Sequence, residues 1–257
     1  MIRKWLLSVL CLGLFGLVTA PSKAAGDDTA YVAQDVNGDV MLLKNGKDRP
    51  IVLHEGDEVE PGDEVQVGLD GEATLTFGDD QVIRFEPGTK AKITQADPTP
   101  QGGVLTRLQL TAGNLLAEVK HLLEKKSKFE VESGGVICGV RGTIFEVSND
   151  DGEVGTQTHE GVVACSTGSG AEEKVAAGQG ASFKNRQLLR RIALGRAGTQ
   201  RLAQWRQYRQ AIRELREARR AGKIRDFRRD RLEKLREMLK KHPGLKRRLP
   251  PKAFHRR

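Results

Sequence analysis

GEATLTFGDDQVIRFEPGTKAKI, residues 71–93, alternates apolar and polar side chains, breaks at a turn, and alternates again. Successive side chains of an extended chain point to opposite faces, so Ala73, Leu75 and Phe77 share one face and Thr74 and Thr76 the other. Ile83 and Phe85, then Ala91 and Ile93, repeat the parity. Working outward, it returns in Leu115, Ala117 and Val119 and in Phe129 and Val131, and these are the expected core positions. From Tyr31 to Phe183 such runs recur roughly every ten residues, which is how strands with one buried face are written.

The punctuation favours hairpins. Asn37-Gly38, Asp70-Gly71 and Asp151-Gly152 offer the positive-φ positions of tight primed turns, and Pro61-Gly62 and Pro87-Gly88 suit type II turns. Roughly ten strands can bury one core. The expected fold is mainly β: over residues 25–183, a single antiparallel β-sandwich or flattened β-solenoid. Leu115 to Lys126, with AEVKHLLEKK at its end, also fits a short helix, and both readings stand at this point.

Ahead of this domain, Arg3 and Lys4 precede an apolar run from Trp5 to Val18, and small residues follow at Ala20, Ser22, Ala24 and Ala25. That order reads as a signal peptide over residues 1–24, cut after Ala24. The apolar run makes about 21 Å of helix at ~1.5 Å per residue, short of the ~30 Å core a permanent anchor crosses. Bulky Leu10 before Cys11 fits lipoprotein processing poorly, so no lipid anchor is expected. The chain is expected to be exported, to the periplasm or beyond.

Charge divides the sequence. Residues 184–257 hold 27 Lys and Arg against 6 Asp and Glu, whereas residues 26–183 hold 13 against 28. After Phe183 the period changes to that of a helix, so residues 184–244 are expected to form two basic amphipathic helices. Leu202, Trp205, Tyr208, Ile212 and Leu215 trace one stripe. Ile224, Phe227, Leu232, Leu235 and Leu239 trace the next, until His242-Pro243-Gly244 stops it. Residues 245–257 read as a basic, disordered tail.

Such a helix is marginal alone, because arginines four apart, such as Arg209 and Arg213, repel. It calls for an anion or a partner surface. One reading seats Trp205, Arg206, Arg209, Arg213, Arg216, Arg220, Arg228 and Arg229 on an anionic envelope surface of lipid headgroups, lipopolysaccharide or wall polymer. Another docks the basic segment on the acidic β-domain, its own or a second copy's, which would make an assembly protein and a homo-oligomer. Nucleic acid suits the charge, but the export signal argues against it.

Export leaves Cys138 and Cys165, which share parity with core residues Val136 and Val163. They are expected either as a disulfide, which an oxidising compartment favours, or as two buried thiols. Neither lies in a CxxC pair or near histidine at ligand spacing, so no metal is expected. No phosphate loop, nucleophile elbow or HExxH helix is present, and neither an enzyme nor a cofactor is expected. His54, His121 and His159 read as strand or surface residues. Asp35-Val-Asn37-Gly-Asp39 lacks the later ligands of a calcium loop and reads as a turn.

VICGVRGTIFEV, residues 136–147, carries the most specific local pattern, with Val140, Arg141, Gly142 and Thr143 between two strands. An arginine among apolar strand residues must pair or reach solvent, so Arg141 is expected to brace the turn against a carboxylate. The order GDEVEPGDEV (56–65), residues 71–93, LQLTAGNLLAEV (108–119), FEVESGGVICGVRGTIFEV (129–147), THEGVVACS (158–166) and VAAGQGASF (175–183) resembles the FecR domain family. The resemblance implies an all-β periplasmic domain that relays signals in iron-dicitrate-type regulation by contacting other proteins. Members that control sigma factors carry a cytoplasmic region before a transmembrane helix, whereas four residues precede the apolar run here. The resemblance therefore implies a sensor or binding module without the anti-sigma arm.

Overall fold

A computed structural model describes residues 30–101, 103–120, 127–140, 142–168 and 172–222. The signal peptide, the second basic helix and the tail expected from the sequence lie outside these residues. The first half of the domain holds β1 (Tyr31–Asn37), β2 (Val40–Leu43), β3 (Ile51–Val52), β4 (Glu58–Val59), β5 (Glu64–Val67), β6 (Glu72–Phe77), β7 (Gln81–Phe85), β8 (Lys90–Pro98) and the long β9 (Val104–Val119). The second half holds β10 (Lys128–Ser133), β11 (Val136–Val140), β12 (Thr143–Asp150), β13 (Glu153–Glu160), β14 (Val162–Ser166), β15 (Glu172–Ala176), β16 (Gln179–Lys184) and β17 (Gln187–Ala193), followed by α1 (Gly195–Arg220).

The strands make two layers that share β9. The near layer runs β4-β1-β6-β7-β9-β12-β13-β16-β17. The far layer runs β3-β2-β5-β8-β9-β10-β11-β14-β15. Hairpins alternate between layers: β6–β7 lies in the near one, β10–β11 in the far one, β12–β13 in the near one again. This resolves the choice between sandwich and solenoid in favour of a sandwich whose hairpins change layer in turn.

One pair departs from the expected antiparallel pattern, since β10 runs parallel to β9. The cause is a bend in β9. A straight strand would put Leu105 and Val119 about 48 Å apart at ~3.4 Å per residue. Nine residue steps from Val119 to Lys128 reach at most ~32 Å, yet Lys128 pairs beside Leu105. β9 folds at Gly113, with φ of +84° and no room for a Cβ, which would stand 2.5 Å from the Thr89 Cα. The glycine is required on both counts. Leu115 to Val119 thus belong to a strand, and residues 121–126, where a helix was the other reading, lie outside the described residues.

The core fills the space between layers, as the parity predicted. Ala73, Leu75, Phe77, Ile83, Phe85, Ala91, Ile93, Leu115, Ala117, Val119, Phe129 and Val131 are all buried in one cluster. Phe129 of the far layer meets Phe145 of the near one edge to face at 5.9 Å. Cys138 and Cys165 oppose each other across β11 and β14 with Cα atoms 4.2 Å apart, and their sulfurs are bonded.

Several boundaries moved. Asn37-Gly38 and Asp70-Gly71 were expected to close hairpins, but β1 and β5 pass there into the opposite layer. Asp151-Gly152 does close one, with both residues at positive φ. The helical region was expected from residue 184, whereas Gln187–Ala193 is a strand on β16 and the helix starts at Gly195. Glutamine, leucine and arginine favour helices by themselves, and pairing with an existing sheet edge overrides that preference.

Candidate interaction site

Thr74 and Thr76 were expected on an exposed face, yet both are buried. The reason is α1, 26 residues or about 39 Å long, which lies across the outer face of the near layer. Leu202, Trp205 and Tyr208 pack there on Val82, Leu116 and Ile144. Trp205 retains 3% of its surface and Arg209 6%. The helix has no side-chain cap and no acid in its first turn, so its stability comes from this seat.

Polar contacts surround the apolar centre, with arginine on the helix and carboxylate on the sheet. Trp205 Nε1 donates to Glu118 Oε2 at 2.9 Å, and Arg209 clamps the same carboxylate through Nε and Nη2 at 2.8 and 3.2 Å. Arg201 pairs with Glu86 and donates Nε to Glu146 Oε1 at 2.8 Å. Arg216 pairs with Asp79, and Arg206 stands 3.4 Å from Glu160. Arg219 donates to Gln34 Oε1 at 2.8 Å and lies 3.3 Å from Glu55. Tyr208 donates to Asp35 at 3.0 Å while the Arg84 guanidinium lies 4.6 Å from its ring centre.

The expected meeting of acidic domain and basic segment therefore takes place within one chain. Of the residues proposed for an anionic surface, Trp205, Arg209 and Arg216 are held against the domain, and Arg206 and Arg213 are exposed. Arg220 ends the helix, and Arg228 and Arg229 lie outside the described residues. The seat itself was not identified from the sequence. A signal existed: Leu115-Leu116-Ala117 and Ile144-Phe145 are apolar on both parities, which marks strands covered on both faces.

His159 was expected as a strand or surface residue. It is a buried strand residue, its Nε2 hydrogen-bonded to Glu146 Oε1 at 2.8 Å. Burial alone would raise the Glu146 pKa, but hydrogen bonds from His159 and Arg201, with their charge, outweigh it and hold the carboxyl below its ordinary value of 4.5. A depressed carboxyl stabilises the fold above its unfolded pKa and withdraws that stability as pH falls through the folded value. We expect α1 to loosen below about pH 4.5, earlier than the core melts, with Glu146→Gln removing this acid step. Tryptophan fluorescence against pH checks it.

Among the described residues the outer face of the far layer carries no helix. There Ile137, Gly139, Val162 and Ala164, with Glu130 and Glu172, line an open groove of about 590 Å³. Its end is the corner between β11 and β12, where Val140, Gly142 and Thr143 stand, and Arg141 lies outside the described residues. Gly161, at φ of +82°, abuts this corner, and a Cβ on it would come within 2.7 Å of the Gly142 carbonyl oxygen. The expected carboxylate partner of Arg141 is not addressed by the described residues.

Fold and contacts together define a two-layer β domain clasped by its own basic helix. Residues 63–164, from the start of β5 into β14, match the family described as FecR protein. A search of curated proteins returns no match. Two crystal structures, at 1.65 and 2.50 Å, of a "putative anti-sigma factor from Parabacteroides distasonis ATCC 8503" are similar over part of their length. Each is 16% identical, with a TM-score of 0.42 over 51% of this chain and 59% of that one. The match thus spans less than two thirds of that protein.

Proposed function

We propose that this chain is an exported, non-enzymatic FecR-like binding module of the cell envelope, and that it contacts a partner protein through the far-layer groove beside the 140–143 corner. The observation that carries the reading is the placement of that groove. It is built by β10, β11 and β14, inside the stretch that matches FecR protein, and it lies on the layer opposite α1. Exposed Ile137 and Val162 over a floor of Gly139 and Ala164 suit an apolar side chain from a partner. Among the described residues no helix is long and apolar enough to cross a membrane, and the leader-like first 24 residues support export.

The basic segment has a separate part in this reading. With Trp205 and Arg209 spent on the domain, attraction to an anionic envelope surface falls to residues 223–257, which hold 15 Lys and Arg against 4 Asp and Glu. A photo-crosslinking residue at Ile137 or Val162, introduced in the native host, should give one discrete protein adduct. The same residue at Arg213, exposed on α1, should not. Absence of an adduct at both groove positions, or the same adduct at Arg213, contradicts the assignment.

A further inference from the structure

The two layers have four edges, and natural sheets protect edges because a bare one recruits another strand. Three are protected here. β3 and β4 are two residues long, and Pro50 precedes β3. β15 carries Glu172, Glu173 and Lys174 in succession. The fourth edge, β17, is different: seven residues, QLLRRIA, every one exposed. It pairs with β16 alone among the described residues. Leu188, Leu189 and Ile192 leave 43, 53 and 43% of their surfaces in solvent.

The two arginines in this strand do not blunt the edge as free charges would. Arg191 pairs with Glu173 at 2.7 Å, and Arg190 lies 3.7 Å from Glu153, both within the chain. With the charge compensated, two copies of the strand can approach. An antiparallel two-fold pairing centred between Leu189 and Arg190 sets Leu188 opposite Arg191 and Leu189 opposite Arg190 of the second copy. Each leucine then meets an arginine stem, and no arginine directly opposes another. Ile192 falls opposite Gln187. The irregularity between Ser182 and Phe183 in the pairing with β16 puts Leu188 on the core side with Arg191, so the facing residues share a side.

We propose that β17 is a homodimerisation edge: two copies join β17 to β17 antiparallel, and their near layers become one continuous sheet. Such contacts are isologous and close at two copies, so they do not propagate into a fibre. One strand per copy is a small interface, and the dimer dissociates on dilution. The proposal is independent of the far-layer groove and survives its failure.

Sedimentation of the intact chain over a wide range of concentration tests it. The expected mass rises from that of one chain towards twice that. Leu189→Lys, and separately Leu188→Lys, change exposed side chains and should hold the mass at one chain with an unaltered melting temperature. A wild-type chain that stays monomeric throughout overturns the proposal. So does a dimer that both variants retain, or one lost only on removing residues 223–257. Should one lysine variant fold poorly, the other decides.

Discussion

Replacing Trp205 with alanine should free α1 from the sheet while leaving the β-domain folded. Tryptophan-to-alanine changes at packed sites cost about 3–5 kcal/mol, and Trp205 is the centre of the helix seat, packed with Val82, Leu116 and Ile144 and bonded to Glu118. Each ~1.4 kcal/mol is tenfold in an equilibrium, so the undocked population should rise by at least about 100-fold. Trypsin cleavage after Arg206, Arg209 and Arg213 reads this out, because the protease needs the helix open. Gln207→Ala is the control: its side chain is exposed, and changes of that kind stay within about 0.5 kcal/mol. Equal cleavage of wild type and Trp205→Ala would show that the helix is held by something other than this seat.

The second large effect is expected at the disulfide. Cys138 and Cys165 close a loop of 27 positions and sit fully buried between hydrogen-bonded strands. Loop closure at that length restricts the unfolded chain by about 3–4 kcal/mol. For a domain of this size that is roughly 10 °C in melting temperature. The double variant Cys138→Ala with Cys165→Ala, and the wild type under reductant, should melt lower by the same amount. A reduced protein as stable as the oxidised one would remove the bridge from the account of this fold.

How far the sequence disclosed these features depended on which physical signal carried each one. Side-chain parity is local, and it identified the core correctly from Ala73 to Val131. Layer assignment is not local: Asn37-Gly38 and Asp151-Gly152 look alike, yet one turn passes between layers and the other closes a hairpin. The decision rests with distant pairing partners. β17 was read as helix because its composition favours one, and only the edge offered by β16 makes it a strand. The helix seat was half legible. The opposed charges of domain and tail were evident, as was the Leu202-Trp205-Tyr208 stripe, but which carboxylates would gather under it depended on the order of β6, β7, β9 and β12 in space.

That order also explains why one helix engages acids from all over the chain. Asp35, Glu86, Glu118 and Glu146 are far apart in sequence and fall beneath one stripe because their strands are neighbours. Arginine suits such a seat, since its planar fork can clamp one carboxylate at two points, as Arg209 does on Glu118. Contacts of this kind weaken with salt where they are exposed and less where they are buried. The rim pair Arg206–Glu160 should therefore give way before Arg209–Glu118.

Hydrogen exchange over residues 202–216 is the measurement that bears most directly on a β-domain clasped by its own helix. An undocked basic helix of this composition is marginal and exchanges fast. The account predicts slow exchange of these amides at low salt, a marked acceleration at high salt, and little change in β9 and β12 under either condition. Fast exchange over 202–216 at low salt, in a chain whose strands remain protected, would contradict it.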